Sequence, residues 1–427
     1  MEFRSINDVH QFLENIPAFK KEGATAGNFT LHRFKEYCAA VGNPQHQFAS
    51  VHVAGSNGKG STCRILGAVY GQSGYKTGVY TSPHLLKYHE RFSVNGTTIT
   101  DDELLLFFQK FGAQIKHFKL TYFEISTAIA FWWFATCGVD VAIIEVGLGG
   151  RLDATNVIMP RASVITTVAL DHTDILGDTI AAIAREKAGI IKPGVPVIMG
   201  CMPAEAKAEI RKTANQKNSA LLEINEPDFS FDEATCTIII QDKTLEPAPS
   251  LQHSVQAYNI AAAYLVCTIL NDQFPVNKKQ FAAGLKNVDR IYPAMGRFEK
   301  LHPHLRWYFD GGHNLQAVKA LKEQTRKKGP VSEAVLVFAL MSDKINKKMM
   351  SEFSEFKKIV YHTLPLGRAA GIDEIRNRLP TVTSFPEQND ARITLLKELQ
   401  AELVIFAGSY YFYPTVRDWL SSMKIDR

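Results

Sequence analysis

Residues 51–62, Val-His-Val-Ala-Gly-Ser-Asn-Gly-Lys-Gly-Ser-Thr, join an apolar, β-branched run to a glycine-rich turn that carries one lysine. An amphipathic helix pattern follows from Cys63 to Gln72. A strand, a glycine loop and a helix start form a cradle for phosphate, because glycines let backbone N–H groups point inward and the helix N-terminus adds positive potential. Lys59 adds a full positive charge. The stretch therefore predicts binding of a nucleoside triphosphate.

The loop is a variant of the general P-loop pattern, G-x-x-x-x-G-K-[ST]. Val53 lies five residues before Gly58, and Gly60 rather than a hydroxyl residue follows Lys59. The hydroxyl group is displaced by one position, to Ser61. An ordinary glycine-rich turn is the alternative, but packing alone does not explain a lysine between two glycines where a strand meets a helix.

The composition is typical of a globular protein. The chain has 427 residues, of which 46% are hydrophobic and 21% charged, and a formal net charge of +5. These values favour two or three domains and argue against a dedicated nucleic-acid binder. The longest apolar run, Ile125–Ala135, is too short to span a bilayer. The six cysteines are scattered and the N-terminus is charged, so we expect a cytoplasmic protein without disulfides, a zinc site or a signal peptide.

Short apolar runs alternate with helical patterns up to residue 290, which predicts an α/β fold with a mostly parallel sheet. After the opening stretch, strands are predicted at Thr77–Tyr80, Val139–Val146, Ala162–Val168 and Val195–Met199. Helices are predicted within residues 1–47 and at Asp101–Lys116, Tyr122–Thr136 and Thr179–Ala188. Leu221–Leu245 predicts a small antiparallel patch, and we expect the helix Ala257–Leu270 to close the first domain.

A second, smaller α/β domain is predicted at residues 297–427, after a linker at 291–296. Its predicted strands again alternate with helices and lie at Arg306–Phe309, Ala334–Leu340, Lys358–Thr363 and Glu402–Ala407. About 130 residues is a normal domain size. We therefore expect a nucleotide-binding domain at 1–290 and a second domain that completes the site.

Polar side chains follow several predicted strands, where ligands gather in open α/β sheets. Ser82 follows the second strand, His172 lies between two acids after another strand, and Glu124 begins an otherwise apolar helix. Each has a structural alternative: a turn serine, a structural histidine, and an acid that complements the helix dipole. A carboxylate oxygen suits Mg²⁺, whereas imidazole is an uncommon ligand for that ion.

A second glycine loop, Gly-Leu-Gly-Gly-Arg-Leu-Asp at residues 147–153, follows the strand Val139–Val146. The dinucleotide-binding pattern fails there because Leu152 occupies its final position, which argues against a dehydrogenase. Asp153 is better explained as a residue that positions the substrate or the loop. Lys187 lies near the end of the helix Thr179–Ala188, where a cation complements the helix dipole.

The predicted second domain has a similar strand end. Asp310 and His313 follow the run Arg306–Phe309, and Ser409 follows the last strand in a turn of small residues. Asp310 could orient a ribose or an amine, and His313 could contact a carboxylate. We expect Ser409 to face the same cleft.

Six ordered segments together resemble the folylpolyglutamate synthase and dihydrofolate synthase family of the Mur ligase superfamily. The segments are Ala54–Ser61, Ser82–Leu85, Thr121–Glu124, Glu145–Asn156, Asp171–Asp174 and Arg185–Ile190. The similarity runs from the first strand to the last. It implies a P-loop-containing, Mur-ligase-like ATPase domain and a smaller, Rossmann-like C-terminal domain that acts in glutamate ligation.

The resemblance also implies a role for most of the candidate residues. The ATP-binding residues would be Ser56, Asn57, Gly58, Lys59, Gly60, Ser61, Asn259, Arg297 and Asp310. The Mg²⁺ ligands would be Ser82, Glu124 and His172. The catalytic residues would be Lys59, His172 and Lys187, of which Lys187 would be carbamylated and help to place the metal. From their positions in the sequence rather than from the resemblance, we expect substrate contacts at Phe123, Asp153, His313 and Ser409.

The implied reaction adds L-glutamate to dihydropteroate, to the γ-carboxyl group of folates, or to both. ATP would convert the acceptor carboxylate into an acyl phosphate, which the amine of L-glutamate attacks, with ADP and phosphate as products. The implied partners are ATP, L-glutamate and dihydropteroate or a reduced folate, with no nucleic acid and no membrane. We expect a monomer.

Two alternatives remain. A Mur-type ligase of UDP-muramoyl peptides shares the loop and the metal site, but it carries a whole domain before the loop, whereas only about 50 residues precede Gly55 here. A P-loop phosphotransferase or nucleotide switch explains the loop but leaves the turn Asp310–Asn314 without a role. The number of glutamate additions that one chain performs stays open.

Overall fold

Two compact units make up the chain, Met1–Pro293 and Ala294–Arg427. The computed structural model describes residues 3–16, 31–224, 229–240 and 243–422. Each unit contains its own sheet and its own hydrophobic core. None of the helices in these described ranges is long and apolar enough to cross a membrane.

An eight-stranded sheet forms the centre of the first unit. Its strands are β1 (Ala49–Ala54), β2 (Thr77–Tyr80), β3 (Phe92–Val94), β4 (Thr97–Thr98), β5 (Val141–Glu145), β6 (Ala162–Ile165), β7 (Val197–Met199) and β8 (Leu221–Glu223). They lie in the order β4-β3-β2-β5-β1-β6-β7-β8, and all pairs from β2 to β8 are parallel. The strand β1 lies in the interior, where Val51 pairs with Ile143 on one side and Ala162 on the other. The loop after β1 therefore opens at the carboxyl edge of the sheet, where ligands bind in such folds.

Helices cover both faces of this sheet. They are α1 (Ile6–Asn15), α2 (His32–Ala40), α3 (Lys59–Gln72), α4 (Asp101–His117), α5 (Tyr122–Cys137), α6 (Thr173–Leu176), α7 (Ile180–Ala188), α8 (Ala204–Gln216), α9 (Ser254–Ile269) and α10 (Lys278–Ile291). Val51 and Val53 of β1 pack into one core with α3, α9 and α10. Ile143 of β5 belongs to the same core, whereas Ile144 packs into a second core with α4 and α5. Neighbouring residues of a strand thus face opposite helix layers, as the period of two requires.

Two sequence predictions for the first unit are wrong in part. Leu221–Glu223 was expected in an antiparallel patch, but β8 pairs parallel with β7 at the edge of the large sheet. The antiparallel sheet consists of β9 (Phe229–Asp232), β10 (Thr237–Ile240) and β11 (Lys243–Leu245). The unit also does not close with α9, because α10 follows, and Asn277 caps its start in a capping box with Gln280.

The second unit is a parallel α/β sheet with one antiparallel edge. Its strands are β12 (Glu299–Lys300), β13 (Arg306–Asp310), β14 (Val335–Phe338), β15 (Lys358–Tyr361), β16 (Thr383–Ser384) and β17 (Leu403–Ala407), in the order β12-β13-β17-β14-β15-β16. Among these strands of the described residues, only β12 pairs antiparallel. Its helices are α11 (Leu315–Arg326), α12 (Lys347–Phe353), α13 (Ile372–Arg376), α14 (Asn389–Glu398) and α15 (Tyr413–Ser422). The predicted α/β class with mostly parallel sheets is confirmed.

Candidate active site

The phosphate loop, defined as residues 55–60, connects β1 to α3. Gly55 has φ +151° and Gly58 has φ +88°, and both values lie in a region that L-residues rarely adopt. A Cβ atom on Gly55 would lie 1.9 Å from Thr166 Oγ1, and one on Gly58 would lie 2.4 Å from Asn259 Oδ1. Glycine is therefore required at both positions by backbone conformation and by space.

Lys59 is the first residue of α3, and its side chain turns back over the loop. Its Nζ donates hydrogen bonds to the carbonyl oxygens of Gly55 at 2.9 Å and Ser56 at 3.3 Å. The first backbone N–H groups of a helix have no intrahelical acceptor, so they are available to an anion at this end of α3. A phosphate oxygen would be a stronger acceptor for the lysine than these neutral carbonyl groups. The loop thus has the charge and the geometry of a phosphate site.

Two threonines after β6 hold the phosphate loop, and the sequence analysis did not identify them. Asn57 N donates to Thr167 Oγ1 at 2.9 Å, and Thr166 Oγ1 donates to Asn57 O at 2.6 Å. Ala169 N donates to Ser56 Oγ at 3.0 Å. Ser56 and Asn57 therefore fix the loop against the neighbouring strand. The signal that could have found the threonines is their position directly after an apolar strand, at the edge where ligands bind.

Asn259 of α9 lies beside the phosphate loop, although far from it in sequence. Its Oδ1 accepts a hydrogen bond from Thr62 Oγ1 at 3.4 Å, and its Nδ2 donates to Gln256 Oε1 at 2.8 Å. The side chain is buried, as is that of Ser61 at the start of α3. The structure thus brings Asn259 and the loop residues together.

Glu124 stabilises the start of α5, as expected for an acid in the first turn of a helix. Thr121 is the N-cap, and its backbone N–H donates to Glu124 Oε2 at 2.7 Å. Arg33 donates to the same oxygen at 2.7 Å, an ion pair that the sequence did not predict. Among the described residues, Glu124 Oε1 has no hydrogen-bond donor, so this hard oxygen can still bind a divalent cation.

Ser82 and His172 lie after β2 and β6, at the same edge of the sheet. The backbone N–H of Ser82 donates to Glu145 Oε2 at 3.2 Å, which ties this turn to the end of β5. His172 has φ +49°, precedes α6, and its backbone N–H donates to Asp171 Oδ1 at 2.9 Å. A hydroxyl, a carboxylate and an imidazole form a donor set that fits a divalent cation.

Lys187 is a buried lysine in the last turn of α7, with only 4% of its surface exposed. Burial lowers its pKa to about 7, the charge of Lys59 lowers it as well, and Asp171 and Asp153 act in the opposite direction. A lysine at this pKa is partly uncharged at neutral pH. The uncharged amine is the form that can add CO₂ to become a carbamate.

Asp153 organises the second glycine loop. Its Oδ2 accepts from Leu148 N at 2.9 Å, and its Oδ1 accepts from Thr155 N at 3.0 Å. Burial raises the pKa of Asp153, and the hydrogen bonds from Thr155 and Leu148 lower it. The ring of Phe123 packs against Gly147 at the start of the same loop. The contacts of Asp153 therefore agree with the loop-positioning role considered from the sequence.

In the second unit, Asp310 lies at the end of β13 and holds two adjacent turns. Its Oδ2 accepts from Phe298 N at 2.9 Å, and its Oδ1 accepts from Gly312 N at 2.8 Å. Burial raises its pKa, while these hydrogen bonds and the charge of Arg297 lower it. The Asp310 carboxylate and the Arg297 guanidinium thus interact within this unit.

An aromatic ring lies between other candidates of the second unit. The Arg297 guanidinium carbon lies 6.0 Å from the centre of the Tyr410 ring, and the His313 ring lies 6.2 Å from it, edge to face. His313 Nδ1 donates to Gly311 O at 3.0 Å. Ser409, which is buried, accepts from Tyr411 N at 3.3 Å. The ends of β13 and β17 therefore bring these residues into one cluster.

The fold and the phosphate loop define a nucleotide-binding ligase of the Mur type, and residues 53–267 match the family model of the Mur ligase middle domain. The chain is 32% identical over 412 residues to the dihydrofolate synthase/folylpolyglutamate synthase of Bacillus subtilis. The alignment covers 91% of this chain and 94% of that protein. The chain belongs to the dihydrofolate synthase/folylpolyglutamate synthase family. The resemblance inferred from the six segments is thereby confirmed.

Solved structures of the family show the same fold over the whole chain. The Escherichia coli FolC structure in complex with DHPP and ADP has a TM-score of 0.85 at 28% identity and covers 99% of both chains. A bifunctional folylpolyglutamate synthase/dihydrofolate synthase with Mn, AMPPNP and L-glutamate bound has a TM-score of 0.83 at 26% identity, again with 99% of both chains covered. The mixed α/β fold with mostly parallel sheets is therefore the fold of this family.

Proposed function

We propose that the protein is an ATP-dependent ligase that adds L-glutamate to dihydropteroate, to the γ-carboxyl group of reduced folates, or to both. The observation that carries the proposal is the phosphate loop with Lys59 at the N-terminus of α3, in a chain of this family. The ligands named for the related structures, DHPP, ADP, AMPPNP and L-glutamate, support the same substrates.

Phosphoryl transfer begins at the phosphate loop. The backbone N–H groups of residues 58–61 and the Lys59 ammonium bind the phosphates of ATP, and Lys59 exchanges its carbonyl acceptors for phosphate oxygens. A carboxylate oxygen of the acceptor forms a bond to the γ-phosphorus as the bond to ADP breaks. Lys59 stabilises the charge that develops on the transferred group.

Amide formation follows without a covalent enzyme intermediate. The amine of L-glutamate attacks the carbonyl carbon of the acyl phosphate, loses a proton, and inorganic phosphate leaves with one oxygen of the original carboxylate. The protein contributes by holding the reacting groups together, which replaces an encounter in solution by a positioned reaction.

We propose Mg²⁺ as the metal and Ser82, Glu124 and His172 as the residues that hold it. The free Oε1 of Glu124 supports this assignment. When bound, such an ion supplies Lewis-acid stabilisation of phosphoryl charge. We also propose that Lys187 is carbamylated, because its pKa of about 7 leaves an uncharged amine available at neutral pH.

The remaining assignments rest on the same proposal. Asn259, Arg297 and Asp310 are proposed as nucleotide contacts. The residues assigned to substrate contacts are Phe123, Asp153, His313 and Ser409. We propose residues 1–290 as the ATP-binding domain and 297–427 as the glutamate-ligase domain, although the helix α10 reaches to Ile291. A cytoplasmic monomer is the proposed form.

ADP release tests the proposal when it is measured with and without L-glutamate. With dihydropteroate or a reduced folate present, we expect ADP release to require L-glutamate. We expect Lys59→Ala to reduce ADP release by about 100-fold or more, because the positive charge that stabilises the transferred phosphoryl group is lost. ADP release at the same rate with and without L-glutamate would favour the phosphotransferase alternative. The rates of ADP release with dihydropteroate and with a reduced folate show whether the protein performs one of the two glutamate additions or both.

A further inference from the structure

Arg91 is a buried cation at the carboxyl edge of the first sheet. It directly precedes β3, and its carbonyl oxygen accepts a hydrogen bond from Thr81 N at 3.0 Å, so it lies beside the end of β2 and next to Ser82. Only 7% of its surface is exposed. Neither the phosphate loop nor the residues assigned above account for this arginine.

Two aromatic rings and a histidine surround the guanidinium group. Its carbon lies 5.8 Å from the centre of the Tyr88 ring and 5.5 Å from that of Tyr122. Its Nε donates to His84 Nδ1 at 2.8 Å. A ring nitrogen that accepts a hydrogen bond carries no proton, so His84 is uncharged in this contact. The surroundings therefore hold the cation without neutralising it.

Within the described ranges, Arg91 has no carboxylate at ion-pair distance, and its two terminal amino groups have no hydrogen-bond acceptor. These amino groups are also not among the fully enclosed polar atoms, so they retain contact with solvent. A buried charge is costly unless a counter-charge accompanies it. The arrangement is that of a site prepared for an anion.

The surroundings favour a carboxylate on an aromatic ring. A guanidinium group binds a carboxylate through two parallel hydrogen bonds. Tyr122 precedes Phe123 in α5, and Tyr88 also packs against Tyr122, with ring centres 5.7 Å apart, so apolar ring surface adjoins the charge. The phosphate loop lies at the end of β1, two strands away from β2, which is about 10 Å at the usual strand spacing. ATP phosphates therefore already have a separate site.

We propose that Arg91 binds the carboxylate of the acceptor substrate and thereby selects acids over neutral analogues. The proposal rests on the proposed function, since it names the part of the acceptor that the protein recognises. Dihydropteroate offers its single benzoate carboxylate, and a folate offers the carboxylates of its glutamate. Both share the chemistry that Arg91 recognises.

A binding cycle tests the proposal on the full-length protein. The dissociation constants of dihydropteroate and of its carboxamide are measured for the wild type, Arg91→Gln, Arg91→Lys and the control Arg211→Gln, which removes an exposed arginine paired with Glu223. We expect the wild type and the control to prefer the carboxylate about 10- to 100-fold, as charged hydrogen bonds do. Arg91→Gln loses this preference, and Arg91→Lys keeps part of it because its charge remains.

Equal binding of the two ligands by the wild type would overturn the proposal without any variant. So would an Arg91→Gln protein that binds both ligands more weakly but keeps the preference, because Arg91 would then act only in packing. Folate monoglutamate in the same cycle shows whether the benzoate or a glutamate carboxylate is bound. A rise of the KM for L-glutamate alone in Arg91→Gln assigns the arginine to the co-substrate and also contradicts the proposal. Binding needs no turnover, so a failure of the proposed function shows separately, in the ADP assay.

Discussion

At the scale of single residues, the sequence identified side chains but not their partners. Gly58 and Lys59 could be assigned to a phosphate site because a glycine loop and its lysine are recognisable from the local sequence alone. The ion pair of Glu124 with Arg33 joins residues 91 positions apart, and the threonines that hold Asn57 lie more than 100 positions away. Such pairs depend on which elements become neighbours, which local patterns do not specify.

Lys187 shows how burial changes chemistry that the sequence cannot reveal. From the sequence, a lysine near the end of a helix is explained by the helix dipole alone. In the structure, burial lowers the pKa of Lys187 from 10.5 to about 7. The unfolded chain keeps this proton up to its ordinary pKa. Between about pH 7 and 10.5 unfolding therefore takes up a proton, and the contribution of Lys187 to stability rises with pH in that range.

Lys187→Ala should lose about 100-fold or more of the ADP release rate, because the charge at this position supports the metal and phosphate groups. A small carboxylate such as acetate should restore part of the activity by occupying the space of the carbamate. The control is Lys192→Ala, since Lys192 is also largely removed from solvent and has a pKa lowered to about 8. Acetate should not affect that variant, and full activity of Lys187→Ala contradicts carbamylation.

Restoration of wild-type activity by bicarbonate should depend on the protonation state of the Lys187 amine. After CO₂ has been removed, bicarbonate is added at each pH in the amount that gives the same concentration of dissolved CO₂. Recovery should then accelerate as the pH rises from 6 to 8 and level off, because the Lys187 amine loses its proton near pH 7. Recovery that does not depend on pH would place the reacting amine elsewhere.

At the scale of elements, periodicity and end signals predicted most of the structure. The strand Thr77–Tyr80 and the start of the helix at Asp101 agree with β2 and α4. Leu221–Glu223 could not be assigned from its pattern, because a three-residue edge strand pairs in either direction and only its neighbour β7 decides. The phosphate loop was predictable because strand, glycines and helix start all indicate the same conformation.

Two glycines with the same backbone angle separate conformational strain from the function of the phosphate loop. Gly58 and Gly42 both have φ +88°, but only Gly58 has a neighbour in the space of a Cβ atom, Asn259. Gly58→Ala and Gly42→Ala should each lose about 1 kcal/mol of stability from the strained backbone. Only Gly58→Ala should weaken ADP binding, which calorimetry with ADP measures. Equal loss of ADP affinity in both variants contradicts the assignment of the loop.

At the scale of the whole molecule, alternation of strands and helices predicted two α/β units, and each has its own parallel sheet and core. The boundary after Pro293 falls inside residues 291–296, the segment predicted as a linker. Family membership then rests on similarity over nearly the entire chain. The sequence could not predict which side chains lie together at the carboxyl edge of each sheet. Arg91 is an example.

The most direct test of the proposed ligase chemistry follows the oxygen atoms of the acceptor. The full-length protein is supplied with ATP, L-glutamate and an acceptor whose reacting carboxylate carries ¹⁸O at both oxygens, and the phosphate released is analysed by mass spectrometry. An acyl phosphate requires that one carboxylate oxygen leaves with phosphate, so each amide formed should yield one phosphate containing that oxygen. Amide formation with unlabelled phosphate would contradict transfer of the γ-phosphoryl group to the acceptor carboxylate.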